Sequence, residues 1–247
     1  MYEENYNYKE KNYSAKKRVK NIIEEKGAWY FCKKLFYLYI FPYLFLPLIK
    51  ERKLVFKGKN LKYFYHKYNY TWANERAIEI PLVLSFIRNI PSQDILEIGN
   101  VLSHYFQCDW DIVDKYEREK EIINEDAVNF KPQKKYKFVI SISTLEHIGF
   151  DEEPRDNSKI IKAISNIKNN CLKKGGAFIF TLPVGWNPNL DKLVLKNKLN
   201  FDEAYYFKRV SWNNKWILSD KDKTLKTKFA KPYIGANGLI LGIIKKN

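Results

Sequence analysis

Between residues 94 and 183 short apolar runs alternate with helix- and turn-forming stretches, and this alternation constrains the fold more than any other feature. The segments "DILEI" (94–98), "WDIVD" (110–114), "INED" (123–126), "KFVISIS" (137–143) and "AFIFTLP" (177–183) predict five strands. An amphipathic helix is predicted over 156–171, with Ile160, Ile161, Ile164, Ile167 and Leu172 as its apolar stripe. Lys173 and Lys174 suit its C-terminal end, and Gly175-Gly176 end it. Strands that alternate with helices pair in parallel and are covered on both faces. The expectation is a three-layer α/β fold around a mostly parallel sheet. A late run, "NGLILGII" (237–244), predicts an antiparallel strand at or near the sheet edge.

Upstream, "NERAIEIPLVLSFIRNI" has helical periodicity, with Asn74 as N-cap and Pro81 expected to kink or restart the helix. Residues 54–72 suggest a short hairpin or irregular segment with Gly58 and Asn60 near its turn. From Leu35 to Ile49 fifteen residues carry no charge, flanked by Lys33-Lys34 and by Lys50-Glu51-Arg52-Lys53. A bilayer-crossing helix needs about 20 apolar residues, and Pro42 and Pro47 interrupt this shorter run. Aromatic side chains with polar tips beside lysines suit a headgroup boundary, whereas a pair of short helices would instead cap the domain's own core. Residues 1–26 are expected to be a frayed polar tail leading into a short helix, and they lack the order of a secretory signal peptide. The chain therefore divides into an N-terminal basic and aromatic segment (1–73), membrane-proximal or a lid, and an α/β domain (74–247). A cytoplasmic location is expected, peripheral on the inner face of the membrane if the aromatic segment touches lipid.

The net charge of +16 is unevenly placed. Residues 1–80 carry 17 Lys+Arg against 8 Asp+Glu, residues 81–180 carry 14 against 15, and residues 181–247 carry 13 against 5. Basic flanks attract anionic headgroups, phosphorylated substrates or nucleic acid. Only 7 of the 44 cations are Arg, fewer than a dedicated phosphate or base reader would use. Cys32, Cys108 and Cys171 form no paired motif, and His66, His104 and His147 are dispersed, so neither a disulfide framework nor a metal site is expected.

In parallel sheets of this kind ligands bind beyond the carboxyl ends of the strands. Those ends carry Glu97, Gly99 and Asn100; then Asp114; then Asp126 and Ala127; then Ser143, Thr144, Glu146 and His147; then Thr181, Pro183 and Gly185. Over residues 75–185, and more weakly to the C-terminus, this succession resembles the class I, Rossmann-like S-adenosylmethionine (AdoMet)-dependent methyltransferases. The resemblance rests on "LEIGN", "DIVDKYE", "EDAVNF", "FVISISTLEHIG" and "LKKGGAFIFTLP", taken in that order. It implies AdoMet as cofactor, with Asp114 on the ribose hydroxyls and Asp126 near the adenine amino group. Glu97, Gly99, Asn100, Ala127, Ser143 and Thr144 would complete the cofactor set. Arg76, and Trp72 before it, would close over the cofactor, Arg76 pairing with its carboxylate; packing is the competing account. The glycine loop is degenerate, because Val101 and Ser103 stand where the family pattern has glycine. Gly99 keeps the position where the backbone most needs room.

His147 is the candidate general base and Glu146 its neighbour, orienting it or touching cofactor. A helix-turn cap is the plainer role for His147. Two loops could shape an acceptor pocket. One carries Asp151, Arg155 and Asp156; the other carries Trp186, Asn187, Asn189 and Asp191, a set suited to sugars if it is not ordinary surface loop. With the activity that the resemblance implies, these loops and the apolar N-terminal run lead to the expectation of a methyltransferase acting on a small or lipid-linked hydroxyl compound, such as a surface-glycan sugar. An RNA-binding protein or RNA methyltransferase using the basic flanks is the first alternative. A membrane-attached scaffold with a non-functional cofactor pocket is the second.

Overall fold

The structure is a computed structural model that describes residues 20, 23, 24 and 27–247. The predicted tail over 1–26 thus lies largely outside the described residues. A hairpin of β1 (Lys53–Phe56) and β2 (Lys59–Lys62) stands apart from the main sheet. That sheet contains β3 (Ile95–Ile98), β4 (Asp111–Val113), β5 (Ile122–Ile123), β6 (Tyr136–Ile142), β7 (Leu172–Pro183), β8 (Glu203–Arg209), β9 (Trp216–Ser219) and β10 (Gly238–Lys245). Their order is β5-β4-β3-β6-β7-β10-β8-β9. Strands β5 to β7 pair in parallel, whereas β10 pairs antiparallel with both β7 and β8, and β9 is antiparallel to β8. The expected fold class, a mostly parallel α/β sheet with an antiparallel late strand and an N-terminal helical segment, is what the chain adopts.

Side chains of a strand alternate between faces, so one strand feeds two cores. Phe178, Phe180 and Leu182 of β7 join Ile160, Ile164 and Leu190 on one side of the sheet. Ile179 joins Ala77, Ile80 and Val83 of helix Arg76–Ile87 on the other. Burying one such side chain contributes roughly 1.5–3 kcal/mol, and both layers hold many of them. Gly242 of β10 leaves room for aromatic rings, because a Cβ there would lie 2.8 Å from Phe180 and 2.9 Å from Phe201.

Several expectations are corrected. Strand β10, expected at or near the edge, is interior, with β8 and then β9 lying outside it. Seven of its eight residues are buried, as its uninterrupted apolar sequence requires of a strand covered on both faces. The helix predicted to 171 is α-helical over Lys159–Asn166, followed by a π turn, Ile167–Cys171. Gly175-Gly176 do not end it, since β7 already begins at Leu172 and the glycines sit where the β6–β7 register shifts. Pro81 lies inside one continuous helix, Arg76–Ile87. Asn74 is not the N-cap, a position that Glu75 holds, although its Oδ1 accepts from the Arg76 N–H at 3.0 Å.

Candidate active site

Strand order reverses between β3 and β6, and the loops that leave these strands diverge there to form a crevice. A cleft of about 50 Å³ lies at this point. Six residues singled out from sequence line it: Gly99 after β3, Asp114 after β4, Asp126 and Ala127 after β5, and Thr144 and His147 after β6. Ile98, Val113 and Ile148 supply apolar wall, and Lys115, Tyr116, Glu125 and Glu152 complete the lining.

The loop after β3 explains its missing glycines. Glu97 is fully buried beneath it, its Oε1 accepting from the N–H groups of Val101 (3.0 Å) and Leu102 (2.8 Å). Its Oε2 accepts from Trp110 Nε1 at 3.0 Å. Burial raises the Glu97 pKa, which these donors partly offset. Glu97 therefore braces the loop from below and is not among the residues lining the cleft. Val101 packs against the core around helix Arg76–Ile87, and it too is absent from the lining. Gly99 has φ 84°, and an added Cβ would stand 2.2 Å from Thr144 Oγ1, so the two loops touch across the crevice.

Asp114 and Asn100 are tied together. Asp114 Oδ2 accepts from the Asn100 N–H (3.0 Å), and Oδ1 accepts from the N–H groups of Tyr116 (2.8 Å) and Glu117 (2.9 Å). Asn100 also donates its amide to Glu117 and accepts from Ser103. Asp126 lies in an ionic strap of lysines and carboxylates at the cleft, three of whose members, Lys115, Asp126 and Glu152, line it. Its Oδ2 meets Lys159 Nζ at 2.6 Å and Lys115 Nζ at 3.1 Å, and Glu152 pairs with both lysines. Desolvation alone would raise the pKa of Asp126 and Glu152, but the lysine hydrogen bonds outweigh it and hold both carboxylates ionised.

A second, buried polar layer lies behind the β6 loop. Arg76 Nη1 pairs with Glu79 Oε2 at 2.8 Å, and Ser143 Oγ donates to Glu79 Oε1. The Ser143 N–H donates to Thr181 Oγ1 at 3.1 Å. Arg76 is 4% exposed, so it sits under this loop rather than over the cleft. Glu146 is fully buried, neither carboxyl oxygen has a hydrogen-bond partner, and burial pushes its pKa well above the usual carboxylate range. His147 lies between carboxyl groups: Nδ1 bonds Asp151 Oδ2, and Nε2 is 3.6 Å from Glu146 Oε1. Trp186 meets the imidazole edge-to-face at 5.2 Å.

The other acceptor candidates disperse. Asp151 orients His147. Arg155 stacks over Phe150 at 4.9 Å on an exposed loop. Asn187 caps helix Pro188–Leu195, its side chain accepting from the N–H groups of Asn189 and Leu190, and donates to the Glu146 carbonyl at 2.9 Å. Sequence reasoning missed Glu79, Lys115, Glu152 and Lys159. Glu79 had a signal, a carboxylate inside the apolar run "AIEIPLVL". The other three lie in polar stretches where nothing local marks them.

No family profile matches the chain, and no curated protein matches it. Among solved structures it is similar to the N-methyltransferase NodS from Bradyrhizobium japonicum WM9 in complex with S-adenosyl-L-homocysteine. There the identity is 12%, over 70% of this chain and 87% of that one, with TM-score 0.45. It is similar to TehB from Haemophilus influenzae at 14% identity, over 73% of this chain and 65% of that one, with TM-score 0.43. A SAM-dependent methyltransferase from Archaeoglobus fulgidus is 17% identical, over 67% of this chain and 93% of that one, with TM-score 0.39. At these scores the likeness adds nothing to what the chain's own strand tips support.

Proposed function

We propose that the chain is an AdoMet-dependent methyltransferase acting on a small or lipid-linked hydroxyl compound such as a surface-glycan sugar. The observation that supports this most is the gathering of Gly99, Asp114, Asp126, Ala127, Thr144 and His147 about one crevice at the point where strand order reverses. The donor set fits a nucleoside. Carboxylates of Asp114 and Asp126 accept from hydroxyl and amino groups, while Ile98, Val113, Ala127 and Ile148 offer apolar wall to a purine. The cleft of about 50 Å³ is smaller than the roughly 300 Å³ at the low end of ligand pockets, so admission requires the Glu152 strap to swing away.

AdoMet supplies a methyl group already activated on sulfonium, which leaves alignment, exclusion of water and proton management to the protein. His147 is the base that takes the acceptor hydroxyl's proton. Asp151 on Nδ1 fixes the ring and stabilises the imidazolium that results. Burial pushes the Glu146 pKa up, which disfavours a competing charge beside Nε2. Trp186, against the same imidazole, offers a sugar an apolar face next to the base.

The ion pairs that close the cleft favour a second reading, a scaffold whose cofactor pocket no longer opens. Thermal unfolding with and without S-adenosylhomocysteine separates the two, because a ligand that binds only the folded state raises Tm with concentration. The enzyme reading expects a rise that Asp126→Asn diminishes, and transfer of labelled methyl into lipid-extractable or soluble glycan. No rise at millimolar ligand, with the fold intact, would overturn it.

A further inference from the structure

Residues Ala28–Ile49 wind as a nearly continuous helical run made of helix Ala28–Leu35, a π turn Phe36–Ile40, and the short helices Phe41–Leu44 and Leu46–Ile49. Two stripes at four-residue spacing divide it. Tyr37, Phe41 and Ile49 are buried against Trp72 and Ala73, with Phe45 and Trp212 packed beside them. Trp72 Nε1 donates to the Tyr37 carbonyl at 2.8 Å, and Tyr37 Oη donates to the Trp212 carbonyl, so this face is fixed to the domain. The other stripe faces out: Tyr39 is 67% exposed, Tyr43 78%, Leu44 62% and Leu48 79%, with Trp29 at 73%. An ordinary surface helix is polar on the side away from its core. This one is apolar there too.

We propose that the exposed stripe docks on the surface of an anionic lipid bilayer. Charge decides among occupants. Residues 28–62 carry eight Lys+Arg against one acidic residue, Glu51. Two copies meeting through this face would set like charges against each other, whereas an anionic leaflet complements them. Tyrosines and a tryptophan with polar tips belong at the headgroup level, and Lys50 and Lys53, both exposed, flank the stripe. No helix among the described residues is long and apolar enough to cross a membrane, so the run lies along the surface. The inference does not depend on the cofactor reading.

The test is sedimentation of the full chain with vesicles of phosphatidylcholine alone, and of phosphatidylcholine mixed with phosphatidylglycerol. Binding is expected to the mixed vesicles only and to weaken with added salt. Tyr43→Ser combined with Leu48→Ser changes two exposed side chains, so folding, checked by circular dichroism, is retained. Binding is then expected to fall by about tenfold or more. Failure to bind mixed vesicles at low salt, or equal binding by the double variant, would overturn the proposal. So would a sedimentation-equilibrium dimer that the double variant abolishes, because the face would then join two copies.

Discussion

Replacing Gly99 by alanine puts a methyl group where Thr144 already stands. The added Cβ would lie 2.2 Å from Thr144 Oγ1, 2.5 Å from Cγ2 and 2.8 Å from Cβ. Rotating the threonine clears the first two atoms but leaves the third, so backbone must move in one loop or the other. Alanine at φ 84° also costs about 1–2 kcal/mol, the price of left-handed backbone for a residue with a Cβ. Overpacking adds about 1–3 kcal/mol. Gly99→Ala should therefore destabilise by about 2–5 kcal/mol, lowering Tm by roughly 2–4 °C for each kcal/mol in a chain of this size. Thr144→Gly removes all three obstructing atoms. In that background Gly99→Ala should cost only the backbone share, about 1–2 kcal/mol, for a coupling of about 1–3 kcal/mol between the sites. Urea unfolding of the four proteins, followed by circular dichroism, measures the cycle. An equal cost of Gly99→Ala in both backgrounds, or a cost below about 1 kcal/mol in the parent, would refute contact between these loops.

Arg209 is 2% exposed and donates to the carbonyls of Ala73 (2.8 Å), Ile234 (2.7 Å), Trp212 (3.1 Å) and Ser211 (3.2 Å). Arg209→Met should cost at least about 3 kcal/mol in urea unfolding and speed proteolysis within residues 28–49, since hydrogen bonds to a charged group contribute about 1.5–3 kcal/mol each. Burial pushes Asp191 up to about 6, against the single hydrogen bond from the Gly185 N–H, while the unfolded chain releases that proton near 3.8. The folded state binds the extra proton between these values, so Asp191 makes stability fall as pH rises from about 4 to about 6 and leaves it level above. Asp191→Asn should flatten that limb, and parallel stability–pH curves for parent and variant would exclude this. Glu152→Gln loosens the strap to Lys115 and Lys159 and should tighten S-adenosylhomocysteine binding in calorimetry by reducing the cost of opening. Unchanged or weaker affinity would mean that Glu152 does not guard the cleft.

The strand tips were legible because an acidic residue or glycine directly after an apolar run marks both the end of a strand and the start of a loop. Gly99 and Asp114 reach one crevice for that reason. What those side chains touch was not legible. Glu97 and Asn187, read as candidate ligand contacts, bond backbone groups, and for Asn187 the cue was present in sequence: an asparagine before proline is a helix N-cap. The strap of Lys115, Asp126, Glu152 and Lys159 joins loops far apart in the chain, which no local spacing encodes. Strands β8 and β9 escaped notice because charged and half-buried residues interrupt "EAYYFKR" and "WILS" is short. The apolar run of β10 indicated an interior strand, and its late position misled.

That position has a consequence for synthesis. Strand β10 leaves the ribosome after β7, β8 and β9, yet it is the piece that joins β7 to the β8–β9 pair. Until residues 238–245 emerge, the nascent polypeptide carries two unsatisfied strand borders, and the β8–β9 ribbon has no place in the sheet. Translation arrested before that segment would yield an aggregation-prone product rather than a smaller working one.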